Sequence, residues 1–270
     1  MINNAVNGTL DIDGTTMDFI SYGKGKRDIV LIQGLGDGMT TVKGQAVPFS
    51  LMSRKLLKEF RVYVFSQKND LPEGYTIREM ANDIYKAMKL VQIESADVVG
   101  FSMGGMIAQY LAIDHPEVVR KLVLVVTMAK SNDVVRPAAR NWIGMIESGD
   151  YKSYWKDSAE KMYTDSFLRK HALMLQIAGR AGEPDDFTRF LIMARACCEF
   201  YSYDELDKIK CPTLIIGGMK DKIVTGQASV EIAEKIPGSR LFIYGELGHA
   251  LFQEAKDFQD RVISFLNRSE

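Results

Sequence analysis

Two segments, Asp28–Gln33 (DIVLIQ) and Arg120–Thr127 (RKLVLVVT), carry unbroken apolar runs too short for a helix of ordinary length. A strand apolar on both of its alternating faces has to be covered on both. Around them strand and helix patterns alternate, and that alternation constrains the fold most. Phe49–Phe60 reads as a helix and Arg61–Phe65 as a strand. Thr76 is placed to cap the next helix, with Glu79 completing a capping box. Ile77, Met80, Ala81, Ile84, Met88 and Val91 then form one helical stripe. Ala96–Gly100 is a strand, and Met103–Asp114 a helix stopped by His115-Pro116. Farther on come a strand at Thr213–Gly217, a helix at Gln227–Ile236, a strand at Arg240–Tyr244 and a terminal helix at Gln253–Leu266. Such alternation implies right-handed crossovers and an α/β fold: a mostly parallel sheet with helices on both faces. Ahead of it, Thr9–Asp13 and Thr16–Tyr22 alternate on either side of Asp13-Gly14, a hairpin pattern.

Residues 129–205 interrupt the alternation with several short helical patterns and no strand. They divide the chain into a sheet core, 1–128 and 206–270, and a helical cap inserted at 129–205. The insertion holds 11 of the 26 aromatic residues, including Trp142 and Trp155. Aromatic rings in such a lid either face an apolar substrate or fill the lid's own small core, and the sequence leaves both open.

Among the 270 residues, 34 basic side chains nearly balance 35 acidic ones. That excludes a broad basic surface for nucleic acid. No apolar run approaches the roughly 18 residues of a membrane span. The opening Met1–Gly8 has neither the basic start nor the apolar core of a signal peptide. A cytoplasmic protein without membrane partners is expected, its oligomeric state open. Cys197, Cys198 and Cys211 have no framework or zinc spacing and read as reduced, mostly buried thiols.

Chemistry concentrates at Gly100-Phe101-Ser102-Met103-Gly104, a G-x-S-x-G pattern that follows an apolar strand and opens a helix. A turn this tight forces Ser102 into a strained backbone and leaves no room for side chains at 100 or 104. It lifts the Ser102 hydroxyl above the sheet edge beside free helix N–H groups. A serine needs a base, and the chain has three histidines. His115 ends a helix, His171 lies in the insertion, and His249 follows the last strand, at the edge where parallel sheets bind ligands. His249 is therefore the expected base. Asp221, in the loop after the preceding strand, is the expected acid that orients it, with Asp133 as a second candidate. Met103 N–H and Leu35 N–H, the latter in Gln33-Gly34-Leu35-Gly36-Asp37-Gly38, are the expected oxyanion donors. That glycine run lacks the G-x-x-x-x-G-K-[ST] spacing of a phosphate loop.

Together, Gln33–Gly36, the Gly100–Gly104 turn, Asp114–Glu117, Cys211-Pro212-Thr213 leading to Asp221, and Gly248-His249 resemble the α/β-hydrolase superfamily in its smaller, lid-bearing branch. The resemblance spans essentially the whole chain. It implies an eight-stranded, mostly parallel sheet with a cap between strands six and seven. It also implies a Ser102–Asp221–His249 triad and Leu35 and Met103 as oxyanion donors, with no cofactor and no metal. Two features depart from many relatives: Gln33-Gly34 in place of His-Gly, and Ser66–Gly74 after the fourth strand in place of an Asp-x-x-Gly-x-Gly-x-Ser-like loop. Both bear on the substrate, not on the triad. The expected activity is hydrolysis of a small or medium, partly apolar ester through an acyl-enzyme. A slow-turnover ligand sensor, an acyltransferase, a cofactor-free perhydrolase and a carbon–carbon hydrolase are the alternatives on the same triad.

Overall fold

The computed structural model describes residues 2–268. Eight strands form one sheet: β1 (Val6–Ile12), β2 (Thr15–Tyr22), β3 (Arg27–Ile32), β4 (Phe60–Lys68), β5 (Ala96–Phe101), β6 (Val119–Val125), β7 (Thr213–Gly218) and β8 (Arg240–Tyr244). Their order is β1-β2-β4-β3-β5-β6-β7-β8. β1 and β2 pair antiparallel, as do β2 and β4, and the rest of the sheet is parallel. Asp13 and Gly14 close the hairpin with φ of 55° and 81°, both positive, as the twist of a two-residue hairpin requires.

The helices are α1 (Ala46–Met52), α2 (Ile77–Leu90), α3 (Met103–Asp114), α4 (Val135–Glu147), α5 (Tyr151–Met162), α6 (Asp165–Ala181), α7 (Thr188–Glu199), α8 (Gly226–Lys235), α9 (Leu251–Glu254) and α10 (Phe258–Leu266). The apolar runs serve two cores at once. Val30, Ile32, Val98, Leu122, Leu124 and Ile215 point toward α2, α3 and α8. Their neighbours Ile29, Leu31, Val99, Val123, Val125, Leu214 and Ile216 point toward α10 and the start of α1. Period-two alternation between two buried faces is why these strands read as continuous apolar runs.

Three boundaries differ from the sequence reading. The helix expected at 49–60 begins at Ala46, since Pro48 fits a first turn that does not need its N–H. It ends at Met52, and the chain tightens into a short turn that buries Leu56 before entering β4. β4 runs on to Lys68, because β2 pairs with it as far as Met17–Lys68 across a bulge. Ser66 to Lys68 are thus strand, not loop. The single terminal helix is two, broken where Ala255 turns extended. Just beyond, the Asp257 carboxylate accepts from Tyr244 Oη (2.9 Å) and Arg261 Nε (2.7 Å).

Between β6 and β7 the chain forms α4 to α7, with one isolated bridge, Lys130 to Tyr201, at the base. Trp142, Tyr151, Tyr154 and Phe190 are buried. Tyr154 meets Trp142 and Phe190 edge-on, at 6.0 and 5.1 Å between ring centres. Much of the aromatic content therefore holds the insertion together. Cys197 and Cys198 are buried in α7, and Cys211 is half-buried. No described helix is long and apolar enough to cross a membrane.

Candidate active site

Ser102 joins β5 to α3 with φ 53° and ψ −120°, a conformation that costs a non-glycine residue free energy and persists only where the surroundings over-determine it. Here they do. A Cβ on Gly100 would lie 2.4 Å from the Gly104 carbonyl oxygen, and one on Gly104 only 2.1 Å from that of Ile32. Strand β5, the turn and α3 are packed backbone against backbone. Ser102 N–H is held by the Val125 carbonyl at 2.9 Å, and the side chain is left half-exposed at the carboxyl edge of the sheet.

The loops after β7 and β8 bring two further groups to the same edge. His249 Nε2 lies 2.9 Å from Ser102 Oγ, and His249 Nδ1 lies 2.8 Å from Asp221 Oδ2. Asp221 and His249 are 7% and 4% exposed, so the contact between them is shielded from water. Asp221 Oδ1 accepts from the N–H groups of Ile223 (2.8 Å) and Val224 (3.0 Å). Burial pushes the Asp221 carboxyl up. The neighbouring His249, its hydrogen bond and the two backbone donors outweigh that, and hold the group below its ordinary value of 3.8. The alternative acid, Asp133, is exposed after β6. His115 stacks on Tyr85 at 3.8 Å, and His171 packs on Phe167 at 4.2 Å.

Leu35 opens a short 3-10 turn, Leu35–Gly38, at the end of β3. The turn passes close enough to the β5–α3 connection that a Cβ on Gly34 would sit 3.2 Å from Ser102 Cβ. Met103 opens α3. Among the described residues, neither Leu35 N–H nor Met103 N–H donates to a protein acceptor. No group of three or more described His, Cys, Asp or Glu side chains is placed to hold a metal ion.

Contacts from the insertion reach this edge at residues that sequence reasoning did not single out. Arg189 of α7 donates to Asp37 Oδ2 (2.8 Å) in the Leu35–Gly38 turn. Burial raises the Asp37 carboxyl, and the Arg189 charge opposes it. At the α5–α6 junction, Met162 carbonyl accepts from Ala250 N–H at 2.9 Å. Thr164, the cap of α6, donates from N and Oγ1 to Glu254 at 3.1 and 2.5 Å. These pairs stand about 90 to 150 residues apart in sequence, and no local pattern marks them.

A strained serine turn, an imidazole and a carboxylate stand in one hydrogen-bonded line at the edge of a sheet of this order. The chain belongs to the α/β-hydrolase fold family, whose model matches residues 28–256. It is similar to the "Putative carbamate hydrolase RutD" of Rhizobium rhizogenes, at 25% identity over 94% of this chain and 99% of that protein. It is also similar in structure to an enol-lactonase from Burkholderia xenovorans, with a TM-score of 0.82 and 22% identity over 97% of this chain and 100% of that one. MGS-M2, an α/β hydrolase from a deep-sea metagenome library, has a TM-score of 0.88 and 18% identity over 97% and 98% of the two chains. The protein is an α/β-fold hydrolase.

Proposed function

We propose that this protein is a serine hydrolase acting on a small or medium, partly apolar ester. The observation that carries the reading is the line Asp221–His249–Ser102, closed at 2.8 and 2.9 Å. Ser102 Oγ forms a bond to the acyl carbon as His249 Nε2 takes its proton. The carbonyl oxygen becomes an oxyanion held by Leu35 and Met103 N–H. The carbon–oxygen bond to the alcohol breaks, and His249 returns the proton to the leaving oxygen. Water then gives a proton to His249, attacks the acyl carbon and releases Ser102, which recovers the proton. Asp221 keeps Nδ1 protonated and Nε2 free to accept, and its lowered carboxyl stays ionised beside the imidazolium.

Leu35, half-buried and apolar, follows Gly34, whose backbone approaches Ser102, and is compatible with an apolar acyl group. Relatives named as carbamate hydrolases favour a second reading on the same triad, with nitrogen in place of carbon beside the carbonyl and the oxygen side kept. The test is fluorophosphonate labelling, followed by turnover of a p-nitrophenyl ester chain-length series and a matched carbamate. Wild type should label and turn over, and Ser102→Ala should do neither. Full activity in Ser102→Ala would overturn the proposal.

A further inference from the structure

The Leu35–Gly38 turn has little to hold it in place by itself. Besides the bonds within the 3-10 turn, it is closed by Asp37 N–H to Gly34 carbonyl (3.1 Å) and by Met39 N–H and Thr40 N–H to Gly36 carbonyl (3.0 and 3.2 Å), all local to residues 34–40. With glycine at 34, 36 and 38, such a backbone has many alternatives. Yet a useful oxyanion donor has to be fixed before the reaction begins, because a misplacement of about 1 Å costs on the order of a hundredfold in rate. Something outside the turn has to hold it.

Arg189 is placed to do so. Its Nη1 donates to the Asp37 carbonyl (2.7 Å), and Nη2 to Asp37 Oδ2 (2.8 Å) and the Gln67 carbonyl (3.2 Å). Its Nε donates to the Lys68 carbonyl (3.0 Å). One guanidinium thus joins three elements: α7 of the insertion, the turn, and the last carbonyls of β4. Asp37 Oδ2 also accepts from Gln67 N–H at 2.8 Å, closing a ring between turn and strand. The Arg189 and Asp37 side chains are 13% and 2% exposed, so water competes little for these bonds. The turn is also pressed from two sides. A Cβ on Gly38 would lie 2.7 Å from Phe190 Cα of α7, and one on Gly34 lies against Ser102. A planar fork with several donors in fixed directions suits this task, and an ammonium group does not replace it.

We propose that Arg189 is a positioning residue: by tying Asp37 and the end of β4 to α7, it holds the Leu35 N–H in place at Ser102. The inference rests on the reading of Ser102 as nucleophile and of Leu35 as oxyanion donor. It makes α7 part of the catalytic framework and not only a roof.

The test compares wild type with Arg189→Lys and Arg189→Met, and with Arg195→Lys as a control on the same helix. Arg195 bonds to Glu147 at an exposed site. Steady-state turnover of a p-nitrophenyl ester is measured beside inhibition by an aryl trifluoromethyl ketone, which adds to a serine and presents an oxyanion. A misplaced donor weakens the oxyanion more than the ground state. In Arg189→Lys, kcat should fall roughly 10- to 100-fold with KM within about twofold. The ketone should bind more weakly by the same factor as the loss in kcat/KM, and Arg189→Met should lose at least as much. Arg195→Lys should match wild type. Should Arg189→Met fail to fold, Arg189→Lys carries the test. Unchanged kcat and ketone affinity in folded Arg189→Lys would overturn the inference. So would a rise in KM matched by an equal loss of ketone affinity with kcat unchanged. If the ketone inhibits wild type but not Ser102→Ala, the nucleophile reading stands whatever Arg189 does. If both bind it equally, that reading falls first.

Discussion

Gly104→Ala puts a single methyl group where the structure has no space for it. The new Cβ would lie 2.1 Å from the Ile32 carbonyl oxygen and 2.5 Å from that of Gln33, both backbone atoms of β3 and its exit. Real Cβ atoms keep at least 3.0 Å, so the first turn of α3 and the end of β3 must separate by about 0.9 Å. Neither can rotate away as a side chain would, and overpacking of this kind costs roughly 1–3 kcal/mol. The displacement falls between the loop bearing Leu35 and the turn bearing Ser102 and Met103. A shift near 1 Å there should lower kcat/KM on the order of a hundredfold. Gly36→Ala is the matched control. It stands one residue from Leu35, with nothing within 4 Å of an added Cβ, so stability should stay within about 0.5 kcal/mol. The assay is p-nitrophenyl acetate turnover with urea unfolding of both variants. If Gly104→Ala keeps more than half of wild-type activity at an unchanged urea midpoint, the argument that backbone contact shapes this site is wrong.

Asp221→Asn should lower kcat on the order of 10⁴-fold, since an amide no longer fixes the His249 tautomer. Because the folded Asp221 carboxyl is depressed below 3.8, its ionised form contributes stability above that pH. Urea unfolding at stepped pH should therefore show the wild-type advantage over Asp221→Asn shrinking as pH falls below about 4 through the depressed value. An advantage that grows with acid would contradict the assignment. Thr76→Ala removes a capping box in which Glu79 N–H donates to Thr76 Oγ1 at 3.2 Å and Thr76 N–H to Glu79 Oε2 at 2.8 Å. It should cost roughly 1 kcal/mol in chemical unfolding and leave ester turnover unchanged.

The elements most legible in the sequence are those whose signals are local. The α2 capping box lies within four residues, and both of its bonds are present. Met103–Asp114 begins after Ser102 and ends at His115-Pro116, a stop written into the dipeptide. The Asp13-Gly14 turn and the apolar runs of β3, β5, β6 and β7 belong to the same class. Boundaries set by distant partners were harder to read. The extension of β4 to Lys68 depends on β2, and the break at Ala255 lies beside a carboxylate held by a tyrosine of β8.

The site divides the same way. From the sequence alone come the α/β class, a strained serine between strand and helix, and His249 and Asp221 after the last two strands. Each follows from residues near in sequence: glycines where backbones must touch, and loops at strand ends. The tertiary structure decided what meets what. It turned His249 Nδ1 to Asp221 while Asp133 stayed exposed, and it set Arg189 against Asp37, 152 residues away. It also packed much of the insertion's aromatic surface ring against ring within the insertion. The physical reason is that a hydrogen bond or ion pair depends on distances of about 3 Å, and periodicity carries no information about distance between elements far apart in sequence.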